Sequence, residues 1–267
     1  MQLVFFHIPK TGGTSLKYQI RQFCDKQKKG ILILDSYDLR DSQKTNYKVT
    51  FNGPNPVSFI QIHEWNPYRF FNFDLLPNHN NKRFTFTILR HPISLFYSIY
   101  YHIKRNLNDF LVDHDHPQRN SLYINLLIKS RDINQFIDLI LDLDFLFKGT
   151  FTDAVEQSRT GSARRQGTFT DAVDRRQGTC ILLPKGYYNQ KFLESLDFVG
   201  IFEDMELTLT KLNQLTNNSF ELDSRYVKNV GNYDKNYSYR YGELIKLFSE
   251  DLQIYNIFLN NNNNNNG

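Results

Sequence analysis

Nine residues near the start of the chain, His7-Ile8-Pro9-Lys10-Thr11-Gly12-Gly13-Thr14-Ser15, gather one lysine, two glycines and three hydroxyls into a single run. The apolar stretch Leu3 to Phe6 precedes them, and Leu16, Ile20 and Phe23 follow at helical spacing. A turn between a buried strand and a helix start leaves backbone amides unpaired, and the helix dipole adds partial positive charge there. Phosphate or sulfate is the natural occupant of such a place. Gly12 and Gly13 allow a sharp turn and a close approach to a ligand. Lys10 brings a full positive charge, and Thr11, Thr14 and Ser15 bring hydroxyl donors. The Walker loop of ATP- and GTP-binding proteins requires Lys-Ser/Thr after its glycines. Here the lysine comes first, which argues against an ordinary triphosphate loop. A plain Gly-Gly turn capped by Thr14 or Ser15 is the simpler alternative, and the coincidence of lysine, glycines and hydroxyls favours the anion site.

A second candidate anion site begins at Leu89-Arg90-His91-Pro92-Ile93, again a strand end leading into a helix. If the strands are parallel, Arg90 leaves the sheet on the same edge as Lys10, with Ser98 about two turns into the helix. An arginine fork beside a hydroxyl suits a terminal phosphate. A salt-bridged arginine and a packed serine would give the same letters. Between these motifs His63 ends the apolar strand Val57–Ile62, followed by Glu64 and Trp65. Ligands of parallel sheets gather outside the carboxyl ends of the strands. A histidine with an ordinary pKa near ~6.5 can accept a hydroxyl proton at neutral pH. His63 is therefore the candidate general base, with Glu64 as fallback and a loop-tethering histidine as the plain alternative. His7 is expected to shape the turn. Asp113-His114-Asp115-His116 has the composition of metal ligands, but no distant partner cluster accompanies it and Pro117 follows, so a solvated loop is expected and no metal.

The run His7 to Ser15 resembles the 5′-phosphosulfate-binding loop of Golgi-type carbohydrate O-sulfotransferases, the group that includes heparan sulfate 2-O-sulfotransferase. Arg90-His91-Pro92-Ile93, with Ser98 and then Tyr100-Tyr101, resembles the same family's 3′-phosphate-binding element. Phe198-Val199-Gly200-Ile201-Phe202-Glu203 is similar to its late strand segment. The resemblance implies 3′-phosphoadenosine 5′-phosphosulfate (PAPS) as donor. It also implies that Lys10, Thr11, Gly12, Gly13, Thr14 and Ser15 hold the phosphosulfate end, that Arg90 and Ser98 hold the 3′-phosphate, and that His63 is the catalytic histidine. One departure is Leu95, where relatives often carry a second arginine. The resemblance spares residues 106–190.

These residues need a frame. The apolar runs Leu3–Phe6, Ile31–Leu34, Val57–Ile62, Phe84–Leu89 and Phe198–Phe202 read as strands buried on both faces. Between and after them come helices: Thr14–Lys28, Pro92–Arg105, one through Ile133, Phe136, Ile137, Ile140 and Leu141, one through Met205, Leu207, Leu209 and Leu212, and Tyr241–Leu259. This alternation predicts an α/β fold with a mainly parallel central sheet and helices on both faces. The resemblance implies the P-loop-kinase-like version found in sulfotransferases. One domain is expected over 1–259. Within it, Gly-Thr-Phe-Thr-Asp-Ala-Val occurs at 149–155 and again at 167–173, and the protein's three alanines all lie here. The segment 149–179 reads as a duplicated insertion, a mobile surface loop. The tail 260–267, seven asparagines and a glycine, reads as disordered.

The formal charge of +4 fits an anionic ligand and gives little support to a nucleic-acid partner. Cys24 and Cys180, the two cysteines, make no disulfide framework beyond one conceivable bridge. No apolar run reaches the ~18 residues of a membrane span, and the first strand leaves no room for a signal peptide. The chain therefore reads as soluble and cytoplasmic, or as a Golgi enzyme lacking its native N-terminus. The expected reaction is in-line transfer of a sulfonate group from PAPS to a carbohydrate hydroxyl, with His63 and Lys10 as catalytic residues. Rival readings are a nucleotide-dependent phosphotransferase, a protein-tyrosine sulfotransferase and a catalytically inactive PAPS-binding module.

Overall fold

The computed structural model describes residues 2–36, 47–53, 57–63, 82–108, 122–142, 188–217, 220, 222–223 and 238–264. Its centre is a sheet of six strands: β1 (Gln2–His7), β2 (Gly30–Ser36), β3 (Tyr47–Asn52), β4 (Val57–His63), β5 (Arg83–Leu89) and β6 (Phe198–Ile201). Their spatial order is β3-β2-β4-β1-β5-β6. The five strands expected from apolar runs pair in parallel, and β3 joins the β2 edge antiparallel. β3 was absent from the sequence expectation. Its Tyr-Lys-Val-Thr-Phe-Asn alternates apolar and polar residues, the pattern of an antiparallel strand with unlike faces, and contains no continuous apolar run.

Helices cover both faces. Alternate residues of β1 divide the interior: Leu3 and Phe5 join one apolar cluster, Val4 and Phe6 the other. The first cluster takes Leu16, Ile20 and Cys24 from α1 (Gly13–Lys26), spaced four apart on one helix face. The second takes Ile93, Phe96, Ile99, Tyr100 and Ile103 from α2 (Pro92–Arg105). It also includes residues of α3 (Leu122–Lys129) and of the helix α4 over 133–142, with Phe136, Ile137 and Ile140 buried. A short helix α5 (Gln190–Glu194) precedes β6, and a 3-10 turn (Phe202–Asp204) leads from β6 into α6 (Met205–Leu215). The Thr208 hydroxyl fixes that junction by donating to the Ile201 carbonyl and accepting from its N–H, both at 2.8 Å.

The expected closing helix is two, α7 (Tyr241–Leu247) and α8 (Ser249–Asn264), divided at the fully buried Phe248. α8 also corrects the expected start of the disordered tail, because it runs through Asn264 into the asparagine run. Asn262 explains the extension: its amide donates to the carbonyls of Val199 (2.9 Å) and Phe258 (3.0 Å), and its own carbonyl accepts from Lys211 Nζ. Residues 265–267 lie outside the described residues, as do the repeat segment 149–179, Cys180 and the run 113–116. Cys24 is a buried free thiol, and burial pushes its pKa up to about 11. Among the described residues no helix is long and apolar enough to cross a membrane.

Candidate active site

The parallel order places the ends of β1, β4 and β5 side by side, with His7 opposite His63 across the β1–β4 pair. Past the end of β1 the chain turns at once into α1. Lys10 adopts a left-handed conformation (φ 68°), and so does Gly12 (φ 86°). For a lysine that conformation is uncommon and has to be held by its surroundings. Gly12 is the residue before α1, and no side chain caps the helix there; the amides of Ser15 (3.0 Å) and Leu16 (3.2 Å) donate to the Gly12 carbonyl.

Both glycines are also demanded by packing. A Cβ on Gly12 would meet Met205 Cε at 2.8 Å and the Phe202 ring at 3.1 Å. One on Gly13 would stand 2.0 Å from Nε2 of His7. His7 is thus the floor of the loop. Its ring stacks on Phe5, and its Nδ1 pairs with Gln61 Nε2 at 3.1 Å. This agrees with the expected turn-shaping role of His7.

The hydroxyls divide by position. Thr11 is fully buried and donates to the Ile8 carbonyl at 2.7 Å. Its side chain therefore builds the loop. Thr14 is exposed, and Ser15 is buried in the first turn of α1.

Arg90 follows β5 directly and reaches back to this loop. Its Nη1 donates to the Lys10 carbonyl at 2.9 Å, and its guanidinium lies 4.5 Å from the centre of the Phe202 ring. The same ring packs under Gly12, so one side chain of the β6–α6 turn supports both motifs. Ser98 lies buried two turns into α2, on the helix that Arg90 introduces. Leu95, the departure from the resembled family, is fully buried in the core. Its side chain takes part in packing.

Positive charge converges here. Burial lowers the pKa of Lys10, and the charges of Arg90 and Arg105 lower it further. His102, one turn before Arg105 on α2, is pushed down to about 4 by burial and by the charges of Lys10 and Arg105. It is therefore neutral at pH 7. Burial also lowers His91, against the opposing pull of Glu203. A site that makes its own cations costly is one that an anion relieves.

The structure thus brings the loop Lys10 to Ser15 and Arg90 together at the carboxyl ends of β1 and β5, with Ser98 buried farther along α2. It sets the backbone of His63 at the last register position of β4, beside His7 and Asp35. Glu64 and Trp65 lie outside the described residues. Sequence reasoning missed His102, Arg105, Phe202, Tyr188 and Glu203 as parts of the site. Ser98, His102 and Arg105 follow helical spacing on α2 and were legible as one face. Tyr188 carried no signal of its own.

The description "sulfotransferase family" belongs to a family model that matches residues 1–256. No curated protein matches the chain. Among solved structures, a sulfotransferase from Alicyclobacillus acidocaldarius shares 12% identity at a TM-score of 0.40, with 95% of this chain and 93% of that chain covered. A likeness that loose carries no detail of the site.

Proposed function

Since the chain belongs to the sulfotransferase family, we propose that it moves a sulfonate group from PAPS to a hydroxyl of a carbohydrate acceptor. The family implies PAPS as the donor, and the residues suit it. The single observation that carries the reading is the bond from Arg90 Nη1 to the Lys10 carbonyl. It joins two anion-suited elements into one surface, as a ligand phosphorylated at two ends requires. Gly12, with its left-handed backbone and the Phe202 ring and Met205 where a Cβ would stand, lets the loop close onto the β6–α6 turn.

Lys10 and the backbone from Thr11 to Ser15 hold the phosphosulfate end, and Arg90 with Ser98 holds the 3′-phosphate. PAPS supplies the activated sulfonate. His63, at the end of β4, takes the proton from the acceptor hydroxyl. Lys10 balances the negative charge that grows on the departing phosphate, from a partly buried place where its charge is weakly screened. Most of the rate then comes from alignment and charge stabilisation, as in phosphoryl transfer.

Two variants test this division of labour. His63→Ala is expected to bind adenosine 3′,5′-bisphosphate as the wild type does and to lose about 10²–10⁴-fold in transfer. Lys10→Ala is expected to lose both binding and transfer. Full activity in His63→Ala would remove the base assignment. Donor binding by the wild type without transfer to any acceptor would favour a binding module instead.

A further inference from the structure

Arg90 is useful to a phosphate only if its backbone is fixed, because the reach of its side chain starts there. The peptide links on either side of it are held by side chains from distant parts of the chain. The hydroxyl of Tyr188 accepts from the Arg90 N–H at 3.0 Å and donates to the Arg90 carbonyl. Tyr188 is buried, and its own backbone N–H donates to Asp251 Oδ1 at 2.9 Å, where Asp251 is itself buried on α8. On the next residue, the N–H of His91 donates to Glu203 Oε1 at 2.9 Å. Glu203 Oε2 accepts from the Tyr255 hydroxyl at 2.9 Å, and the Tyr255 ring meets His91 edge-on. Three segments, around 188, around 203 and the helix α8 through Asp251 and Tyr255, therefore converge on two residues of backbone.

We propose that Tyr188, assisted by Glu203, is a positioning residue for the 3′-phosphate: it sets the direction in which Arg90 leaves β5 and so decides how strongly the enzyme prefers a 3′-phosphorylated donor. This rests on the reading of Arg90 as the 3′-phosphate ligand. Burial and the nearby carboxylates hold the Tyr188 pKa well above that of an ordinary tyrosine, so the proton it donates stays in place at any working pH. Tyr188 touches no reacting atom in this account. Its effect belongs in donor affinity and not in the transfer step.

The test compares two probes on the full-length protein by calorimetry, adenosine 3′,5′-bisphosphate and adenosine 5′-phosphate. The wild type is expected to bind the bisphosphate more tightly. In Tyr188→Phe that preference falls about tenfold, the loss expected of a displaced hydrogen-bonding group, while 5′-phosphate binding stays within about twofold. KM for PAPS rises accordingly and kcat at saturating donor is kept. Because Tyr188 is buried, Glu203→Ala and Glu203→Gln provide a second route from an exposed position. The alanine variant should lose part of the preference, and the glutamine variant, which keeps an oxygen for the His91 N–H, should regain it. Equal loss for both probes, or an unchanged preference in Tyr188→Phe and Glu203→Ala, overturns the inference and leaves the reading of Arg90 intact. A wild type that does not distinguish the two probes overturns that reading and the inference with it.

Discussion

Lys10 carries a demand on both its backbone and its charge. Its carbonyl is held by Arg90, and its ammonium is made less basic by burial and by Arg90 and Arg105. Donor binding should therefore weaken on the alkaline side at a lower pH than an ordinary lysine near 10.5 would give. In Lys10→Arg the binding should persist to higher pH, which a calorimetric pH series would reveal. Arg90→Ala removes both the phosphate fork and the brace on Lys10. A charge-assisted bond of ~1.5–3 kcal/mol corresponds to about 10–100-fold in donor affinity, and Arg90→Lys should recover little of it because a point charge cannot replace the fork. His102 gives a separate check on the positive field. Its folded pKa is about 4 against an ordinary 6.5, so between those values the unfolded chain takes up a proton that the folded one does not. Stability contributed by this site is present above pH 6.5 and is lost as pH falls toward 4. His102→Gln should lose less stability than the wild type between pH 7 and about pH 5 in urea denaturation.

At the scale of elements, the site depends on how tightly α1 is brought against β1. Gly13→Ala would drive a methyl into His7, and overpacking of this kind costs ~1–3 kcal/mol. The double variant with His7→Ala should recover part of that loss in thermal denaturation, which a purely conformational role for Gly13 would not allow. These contacts also show what was legible beforehand. Leu3–Phe6, Val57–Ile62 and Phe84–Leu89 announced themselves as strands because burial on both faces leaves no polar alternation, and they correspond to β1, β4 and β5. The glycines of the loop were legible as a turn. Their reason was not, because His7, Met205 and Phe202 meet them only after folding. β3 was missed because an edge strand has a different pattern. The helix expected over Tyr241–Leu259 is broken at Phe248, and periodicity cannot show a break of a single residue. Arg90 and Ser98 were found from residue type and spacing, whereas the side chains that hold the backbone of Arg90 and His91 come from 98 and 112 positions later in the chain, respectively. No local pattern could report a contact across that distance.

Over the whole molecule, two apolar clusters on opposite faces hold one sheet, and the repeat segment 149–179 reads from its sequence as a surface loop apart from the donor elements. Replacing that segment with a short Gly-Ser linker is expected to leave adenosine 3′,5′-bisphosphate affinity within about threefold. A large loss on calorimetry would assign the segment a part in the donor site. The C-terminal part of the chain, through Tyr188, Glu203, Asp251 and Tyr255, steadies the site that its N-terminal part provides. The most direct measurement is incubation of the protein with radiolabelled PAPS and a panel of glycans, with a tyrosine peptide and ATP as controls. The account predicts label on a glycan hydroxyl, reduced about 10²–10⁴-fold when His63 is replaced by alanine. Label on the peptide alone, turnover of ATP in place of PAPS, or no transfer to any acceptor would contradict it.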